Sequence, residues 1–513
     1  MSDVNRVGVR FGRPSTPGSV GRLFPLTSAQ TPTDLDALRI TGTPNFGFVP
    51  IIVDSNEIRS DRQRNKPKLV GFTAGGSVGF ELSPLTFEEI ISGVMFSLWT
   101  RTQRNQGATD IVSFGAGTVT LNTGLGADYT VGQVVRLDHA DANGTVIDGA
   151  YEITGIATET LTLAEIDGVS PALTAGLTPN ADTIIKVTGF KAQTNADVSL
   201  SVSVGVGTLS CPNGLVDDAM GTGSPLVVGQ WIKLNGFATA ANNVYVRISS
   251  VDTGADEITF QAPSGMITDA ATTEQVEVFW GDYIRNGIDA VTDHQFVVER
   301  RFEDHNPVLR EAFTGMAINQ LQLTLAPQSI VTGTMEFFGL NALARTEPNV
   351  TQIYEGGAPN DVAAPEKDIY NSSTNIGRIA TDLDSLIDGN VNFPLATTLT
   401  INNNLRRRDA IGFQGAASIG AGEVTVTGNV DTYFDDLSVL QEIQANTTKR
   451  FDMAMQGEDG RVTIFDSPSI VYTGGAAETN AKNTDATLPA PFGAFKDAVL
   501  GYTIHVQTMH FAQ

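Results

Sequence analysis

The chain has a single cysteine, Cys211, among its 513 residues. It therefore cannot form an intrachain disulfide, and its stability must come from packing and assembly. No apolar run is long enough to span a bilayer, and the N-terminal residues lack the charged-then-apolar pattern of a signal peptide. We expect a protein that is made in the cytoplasm and has no contact with a membrane.

Positive charge is also scarce, because 32 Lys and Arg stand against 57 Asp and Glu, giving a formal net charge of −25. A protein that grips nucleic acid neutralises phosphates with a basic patch, so this composition argues against DNA binding. An acidic surface can keep a polyanion from sticking, or it can simply keep a protein soluble. Composition leaves both interpretations open.

Patterns typical of catalysis or metal binding are missing from the sequence. The five histidines are scattered and have no carboxylate partners at metal-binding spacing. The run that begins at His139 resembles the start of a calcium loop, but Ala150 stands where the closing Glu is needed. Paired acids such as Glu88 and Glu89 are explained by helix caps. We therefore predict no enzymatic activity, no cofactor and no bound metal.

The most informative feature of the chain is an internal repeat. The short segments that match are residues 33–38 with 381–386, 45–46 with 392–393, and 334–337 with 508–511. An ordered series of such words predicts a tandem duplication of one folding unit. A ring of such chains would contain twice as many similar units as chains. Alternatively, the two units could simply lie side by side.

The residue usage predicts a mainly β fold. Glycine is abundant, with 52 residues, and short alternating runs of β-branched residues are typical of strands joined by tight turns. In each unit such a run, 77–82 or 423–426, precedes a helix start with capping-box spacing, at 86–89 or 432–435. We expect two tandem β-sandwich units, each with one flanking helix.

The first unit is interrupted by a segment that the second unit lacks, and this insertion repeats as well. Residues 131–137 match residues 228–234, and residues 151–153 match residues within 245–248. This pattern predicts two small inserted β-barrel modules. Because the second unit does without them, we expect them to project outward and to be unnecessary for the shared fold.

These observations divide the chain into six segments. Proline and glycine mark an arm at the N-terminus and a linker between the units. The predicted segments are an N-terminal arm (1–32), a first unit (33–102 and 290–340), inserted module A (103–195), inserted module B (196–289), a linker (341–380) and a second unit (381–513).

Several short segments of the first unit and its insertion, taken in order, resemble those of a known family. They are residues 56–62 (Asn-Glu-Ile-Arg-Ser-Asp-Arg), 79–83 (Gly-Phe-Glu-Leu-Ser), 299–302 (Glu-Arg-Arg-Phe) and, in module B, 228–237 (Val-Gly-Gln-Trp-Ile-Lys-Leu-Asn-Gly-Phe). This series resembles the major tail tube proteins of long-tailed, siphovirus-like bacteriophages. The resemblance covers both units, which is nearly the whole chain outside the arm and the linker.

The resemblance implies a tube-forming structural subunit. In that family, the strands of a small β-sandwich with a flanking helix join those of neighbours into a barrel around a lumen, and rings stack into the tube through which the genome leaves. Rings of the family are commonly hexamers of single-domain subunits, so two units per chain favour a trimeric ring of pseudo-sixfold symmetry.

The resemblance also implies partners and a location. The partners are other copies of the chain, a tape measure protein, a tail terminator and distal tail proteins, while viral DNA passes through the lumen without specific binding. The protein would be part of the virion, assembled in the host cytoplasm. A wall past which DNA slides should be acidic and free of aromatic stacking platforms. From alternation along the barrel strands we predict four lumen acids: Glu81, Glu299, Asp431 and Asp452.

Two other functions stay open. One is the tube protein of a contractile tail or of a secretion system, although surfaces that contact a sheath should be plain and the inserts are bulky. The other is a carbohydrate-binding or adhesin protein, although aromatic residues make up only 7% of the chain and its three tryptophans are dispersed.

Overall fold

The computed structural model describes residues 6–14, 24–140, 146–166, 172–174, 176–181, 183–195, 197–211, 226–287, 294–386, 393–435, 437–479 and 482–511. Strands account for most of the regular structure, and the helices are few and short. The mainly β fold predicted from alternation and turn residues is therefore confirmed.

The first unit opens with four strands and one helix. In chain order they are β1 (Val7–Gly12), β2 (Asp34–Ala37), β3 (Ile40–Val53), β4 (Lys68–Glu81) and α1 (Glu88–Met95). The predicted apolar face of the helix is buried, with Ile90 and Val94 fully inaccessible. The predicted capping box is wrong: α1 has no side-chain cap, because the Thr86 hydroxyl lies 2.9 Å from the Ser83 hydroxyl instead.

The insertion contributes the next strands and a four-residue helix. They are β5 (Arg104–Gln106), α2 (Gly107–Asp110), β6 (Ile111–Gly115), β7 (Thr118–Leu121), β8 (Gln133–Ala140), β9 (Val146–Ala157), β10 (Thr160–Glu165), β11 (Ile184–Lys191), β12 (Ser199–Ser203), β13 (Val206–Ser210), β14 (Trp231–Asn235), β15 (Tyr245–Asp252), β16 (Glu257–Gln261) and β17 (Glu277–Phe279). Short 3-10 turns lie at Leu125–Asp128 and Ala240–Asn242.

The rest of the chain contains β18, the last strand of the insertion, and then completes the first unit and builds the second. Its elements are β18 (Gly281–Arg285), β19 (Phe296–Phe302), β20 (Leu309–Leu325), β21 (Thr332–Gly339), β22 (Asn341–Thr346), a 3-10 helix (Glu347–Gln352), β23 (Asn360–Val362), β24 (Ile376–Ala380), β25 (Pro394–Asn402), β26 (Arg406–Arg408), β27 (Ser418–Gly420), β28 (Thr425–Tyr433), α3 (Ser438–Ala445), β29 (Lys449–Gln456), β30 (Arg461–Tyr472), β31 (Thr487–Ala494) and β32 (His505–His510).

One antiparallel sheet runs through both units. In the first unit it has the order β3–β4–β21–β20, and in the second the order β25–β28–β31–β30. The two sets are joined within the chain, because residues 320–325 of β20 pair with residues 397–402 of β25. The result is a continuous sheet of eight strands, which we call the main sheet.

A second layer has the same connections in both units. The first half of β20 pairs with β19 and β22, and β19 pairs with β1; the first half of β30 pairs with β29 and β32, and β29 pairs with β24. Each of the pairs β19–β20 and β29–β30 has a bulge, after Phe296 and after Lys449. The two units thus share strand order and bulge position.

Aligning the bulges gives a residue-by-residue comparison of the units. One row across the main sheet reads Ile318, Phe337, Gly76, Phe46 in the first unit and Tyr472, Phe492, Gly428, Leu399 in the second. In each unit the row has a phenylalanine and a glycine at the same places. Either glycine would clash with backbone or ring atoms if it carried a Cβ.

This comparison corrects two of the repeat words. In this alignment Phe46 corresponds to Leu399 and not to Phe393. The matching of 45–46 with 392–393 is therefore wrong by six positions along the strand. Residues 334–337 lie in β21, whose counterpart is β31, whereas residues 508–511 belong to the β32 region, whose counterpart is β22. Words of two to four residues recur by chance within strands that share one composition.

Two predicted connecting segments contain strands of the sheets. The arm holds β1, which pairs with β19, and the linker holds β22 and β24, which pair with β20 and β29. These strands could not be predicted from the sequence, because prolines and glycines lie close to them and their alternating runs are only five or six residues long. The boundaries of the six predicted segments otherwise stay predictions.

The insertion forms a separate antiparallel sheet with two similar halves. The first half has the order β6–β7–β10–β9–β8–β11 and the second the order β12–β13–β16–β15–β14–β17, with the two joined by pairing between β11 and β17. Each half corresponds to one predicted module. Closure of each half into a barrel stays a prediction.

Candidate functional site

The main sheet has one apolar and one polar face, because side chains alternate along each strand. The apolar face packs into the largest core, and its side chains are at most 3% exposed: Val78, Phe80, Leu321, Leu323, Met335, Phe337, Leu399, Ile401, Val426, Val430 and Phe492. The opposite face carries Thr73, Ser77, Gln320, Gln322, Thr324, Thr334, Thr398, Thr400, Asn402, Thr427 and Asn429. We call this second surface the polar face.

Among the residues that the structure describes, the charged groups on the polar face are all acids. Glu81 and Asp431, both predicted from alternation, lie on it and are partly exposed. Glu336 also lies on it, and the sequence analysis missed this residue although Gly333, Met335 and Phe337 alternate with it as buried neighbours. The strand segments that build the face (40–53, 73–81, 320–325, 332–339, 394–402, 425–433 and 487–494) contain no Lys or Arg.

The other two predicted lumen acids are buried, which corrects that part of the prediction. The Glu299 side chain is fully inaccessible, with Arg301 at 2.5 Å and Arg310 at 3.2 Å from its carboxylate. The Tyr354 hydroxyl donates to the same carboxylate at 3.0 Å. Glu299 therefore neutralises arginines inside the second layer and cannot line a bore.

Asp452 is buried in the corresponding place in the second unit. The Arg378 guanidinium bonds to its carboxylate, and Arg450 approaches to 3.4 Å. Both arginines lie over the ring of Trp231 from the insertion, at 5.6 and 5.9 Å from the ring centroid. Asp452 thus belongs to a contact between the insertion and the second unit.

The insertion packs against the outer layer of the second unit, and its position on the exterior of a tube stays a prediction. Its apolar contact set combines side chains of the insertion with side chains of the second layer: Val134, Ala150, Trp231, Tyr245 and Phe279 meet Ala454, Val462, Ile464, Met509 and Phe511. All of them are at most 6% exposed. The second unit therefore relies on the insertion to cover its outer face.

Directed polar contacts fix this interface in register. The Gln507 side chain accepts from the Trp231 amide N–H at 2.8 Å and donates to its carbonyl at 2.7 Å. The Arg247 guanidinium contacts both oxygens of the fully buried Asp466 at 3.0 and 3.1 Å. Strand β18, at the end of the insertion, pairs with β32 along its whole length.

The main sheet ends in two edges that differ from its interior strands. Among the described residues, β3 pairs only with β4, and its outer half exposes apolar side chains: Phe48, Val49, Ile51, Ile52 and Val53 are 43–61% exposed. At the opposite end, residues 473–479 follow β30 and bond to β31 through Thr473 and Glu478, and the described strands place no second strand beside them. Long apolar edges of this kind promote association.

The sequence matches a family model along most of its length. The model of a family described as phage tail tube protein matches residues 5–494. The chain belongs to the phage tail tube protein family. It is therefore a structural subunit of a phage tail tube, a virion component that self-assembles into a tube. No curated protein matches the chain.

The described residues of the tail tube subunit contain neither a membrane-spanning helix nor a metal-ligating cluster. No helix in the described part of the chain is long and apolar enough to cross a membrane. Within the same residues, no group of three or more His, Cys, Asp or Glu side chains is placed to hold a metal ion.

In the tail tube subunit, Asp282 of β18 ties the insertion to the first unit. Its carboxylate is fully buried, lies 2.5 Å from Arg104 and 3.2 Å from Arg101, and accepts from the Thr102 N–H at 2.7 Å. Burial alone would raise the pKa of Asp282, but Lys186, Arg104 and Arg101 together hold it well below its usual value. The folded protein thus strongly favours the charged carboxylate.

We expect Asp282→Asn to lower the free energy of unfolding by about 3 kcal/mol at neutral pH, because it leaves buried cations without their counterion. Since the pKa of Asp282 is depressed in the folded state, its contribution is full above about pH 4, the unfolded value, and is lost as pH falls below it. Denaturant titrations should therefore show a wild-type advantage that is constant from pH 5 to 8 and shrinks in acid. Asp409→Asn, at an exposed carboxylate, is the control and should change little.

Two histidines of β32 lie buried at the insertion contact of the tail tube subunit. Burial, followed by the nearby Arg285, lowers the pKa of His505 well below its usual value, and the Arg285 Nε donates to its Nδ1 at 3.0 Å. Burial, followed by Arg136 and Arg461, does the same to the pKa of His510. Both rings are therefore neutral in the folded protein.

Acid should weaken this contact. Because the unfolded chain takes up protons below about pH 6.5 and the buried rings do not, each histidine should cost about 1.4 kcal/mol of stability per pH unit below that value. We expect the melting temperature to fall from pH 7 to pH 5, and His505→Gln to flatten that slope. Val204→Ala, at a fully exposed position without a titratable group, is the control and should leave the slope unchanged. Equal slopes for all three proteins would contradict this account.

Proposed function

We propose that three copies of this tail tube subunit close into a ring of pseudo-sixfold symmetry, and that the rings stack into the tube. The observation that carries the proposal is the junction between β20 and β25. It joins the first unit to the second by strand pairing, and the counterparts of its two strands lie at the two ends of the main sheet, where each has a partner strand on one side only among the described residues. A second copy offers each end the partner that it lacks.

The unit comparison predicts the register of that contact. Within the chain, residues 320–325 pair with residues 397–402. The bulge alignment places residues 474–479 at the position of 320–325, and residues 44–49 at the position of 397–402. We therefore infer that residues 474–479 of one subunit pair with residues 44–49 of the next. Pairing of this head-to-tail kind closes a ring when the rotation per unit divides the circle.

The expected width of the bore supports three subunits per ring. Each chain supplies eight strands, so three chains give a barrel of roughly 24 strands. With strands about 4.8 Å apart and tilted by about 40°, the backbone diameter is about 48 Å, and inward side chains leave about 38 Å. Two chains would leave only about 22 Å. The larger bore gives clearance around a DNA duplex.

We infer that the polar face lines this bore, because the apolar face is already covered by the core. The wall would then be mainly Thr, Ser, Asn and Gln side chains, with Phe338, Pro489 and Pro491 among them by alternation and Glu81, Glu336 and Asp431 as its charges. Without lysine or arginine, such a wall offers no counterions to phosphate, and DNA leaving the virion slides past it.

The same proposal covers the partners and excludes chemistry. A tape measure protein would occupy the lumen during assembly in the host cytoplasm, and the terminator and distal tail proteins would cap the stack. We assign the subunit no catalytic activity.

The exposed apolar half of the β3–β4 hairpin supports contact with further copies of the chain, since it is too apolar to stay in water.

Negative-stain microscopy of the purified protein tests this function. We expect rings about 50 Å or more across with a central hole, and stacks of rings at higher concentration. Dispersed single subunits that bind on a glycan array would favour the adhesin alternative and overturn the proposal.

A further inference from the structure

A cavity lies where the first unit, the insertion and the second unit meet. Its volume is about 180 Å³. Leu85 and Glu88 of the first unit form one wall, Arg104 and Lys186 a second, and residues 461–463 and 508–510 of the second unit the third. Its space equals that of several water molecules, at about 30 Å³ each in the liquid.

The cavity concentrates positive charge in a strongly acidic chain. Five cationic side chains line it: Arg101, Arg104, Arg136, Lys186 and Arg461. Only two acids, Glu88 and Asp138, share the lining. Acids behind the lining pair with these cations. The Asp282 carboxylate pairs with Arg101, Arg104 and Lys186. The Asp148 carboxylate pairs with Arg136 and Arg461.

The acids behind the lining do not use all of this donor capacity. The Lys186 ammonium is 3.6 Å from Asp282, too far for a hydrogen bond, and the buried Nε of Arg104 has no partner among the described residues. The buried hydroxyl of Thr508 also lacks one in that part of the chain. Buried polar groups without partners are rare and call for an explanation.

The backbone beside the cavity is strained as well. Leu85 has a φ of +67°, a left-handed conformation that costs a non-glycine residue about 1 kcal/mol or more. Such strain persists where the surrounding structure enforces it, and it clusters at ligand sites. Here it turns the chain between β4 and α1 along the wall of the cavity.

We propose that this cavity binds a small oxyanion of the phosphate class, which joins the three parts of the subunit. Guanidinium and ammonium groups from different parts of the chain converge on it, and these are the groups that bind phosphate oxygens best in proteins. None of the lining residues belongs to the strand segments of the polar face, so DNA in the bore does not reach the site. The inference holds whether or not the subunit forms rings.

Equilibrium dialysis with inorganic phosphate, at an ionic strength held constant with chloride, tests the site on the full chain. We expect saturable binding of about one phosphate per chain, weakened at least tenfold by Lys186→Gln. Arg104→Gln should have a similar effect and guards against a local defect of the first variant. Lys191→Gln is the matched control, because Lys191 pairs with Glu152 and Glu277 away from the cavity.

Three results would overturn the assignment. The first is no saturable binding by the wild-type chain, and the second is equal binding by the wild type and both cavity variants. The third is displacement of phosphate by a short single-stranded oligonucleotide at equal phosphate concentration, which would reassign the site to a nucleic-acid backbone. Because subunits that do not assemble can be dialysed too, failure of the site is distinguishable from failure of ring formation.

Discussion

We expect Ala477→Pro to abolish the proposed ring formation while the subunit stays folded. Glu478 and Thr487 exchange both backbone hydrogen bonds, so the N–H of the preceding residue, Ala477, points away from β31 toward the open edge. Proline removes that donor and places its ring in the path of the next strand. No hydrogen bond within the subunit is lost, because Ala477 is exposed and its N–H faces outward.

The expected effect is large because every interface of the ring contains this position. A loss of about 3 kcal/mol per interface should raise the concentration needed for assembly at least 100-fold. Light scattering after size exclusion would report single subunits for Ala477→Pro and rings for the wild type. Ala477→Gly keeps the N–H and should assemble. Rings of normal stability from the proline variant would rule out pairing at this edge.

Removing the insertion, residues 103–289, should yield no soluble folded subunit. The sequence suggested the opposite, since the second unit lacks an insertion of its own. The deletion exposes Val462, Ile464 and Phe511 to water, removes β18 from β32, and leaves Asp466 without the Arg247 guanidinium. An uncompensated carboxylate at a newly bared apolar surface favours aggregation.

A point substitution measures the same interface without removing a domain. Trp231→Ala should lower the free energy of unfolding by about 3 to 5 kcal/mol, because the indole is 1% exposed and packs under Arg378 and Arg450. Val204→Ala, at a fully exposed loop position of the insertion, should change it by less than about 0.5 kcal/mol. A deletion variant that melts cooperatively near the wild-type temperature would contradict the role given to the insertion.

Alternation in the sequence places Glu81 and Asp431 on the polar face, because their strands have one exposed face and one buried face, and their position in a lumen stays a prediction. It failed for Glu299 and Asp452, because β19 and β29 are covered on both sides and nearly every residue in them is buried. The signal that separates the two cases is the neighbouring charge: Glu299 precedes two arginines, and Asp452 lies two residues after Arg450.

The repeat was visible in the sequence, but its register was not. Matching of short segments aligned Phe46 with Phe393, whereas the strand registers of the two units make Leu399 its equivalent. Bulges and loops of different length shift such words between strands, and only the hydrogen-bonded rows restore the correspondence. The docking of the insertion could not be predicted either, since nothing local in the Trp231 or Asp466 segments indicates which distant surface each one meets.

A cryo-electron microscopy reconstruction of the assembled protein is the most direct measurement of the central claim, that strand pairing between subunits completes a barrel around a polar bore. We predict three subunits per ring, residues 474–479 of each paired with residues 44–49 of the next, and Glu81, Glu336 and Asp431 facing the hole. A ring in which β3 faces solvent, or whose inner wall is lined by lysine and arginine, would contradict the account.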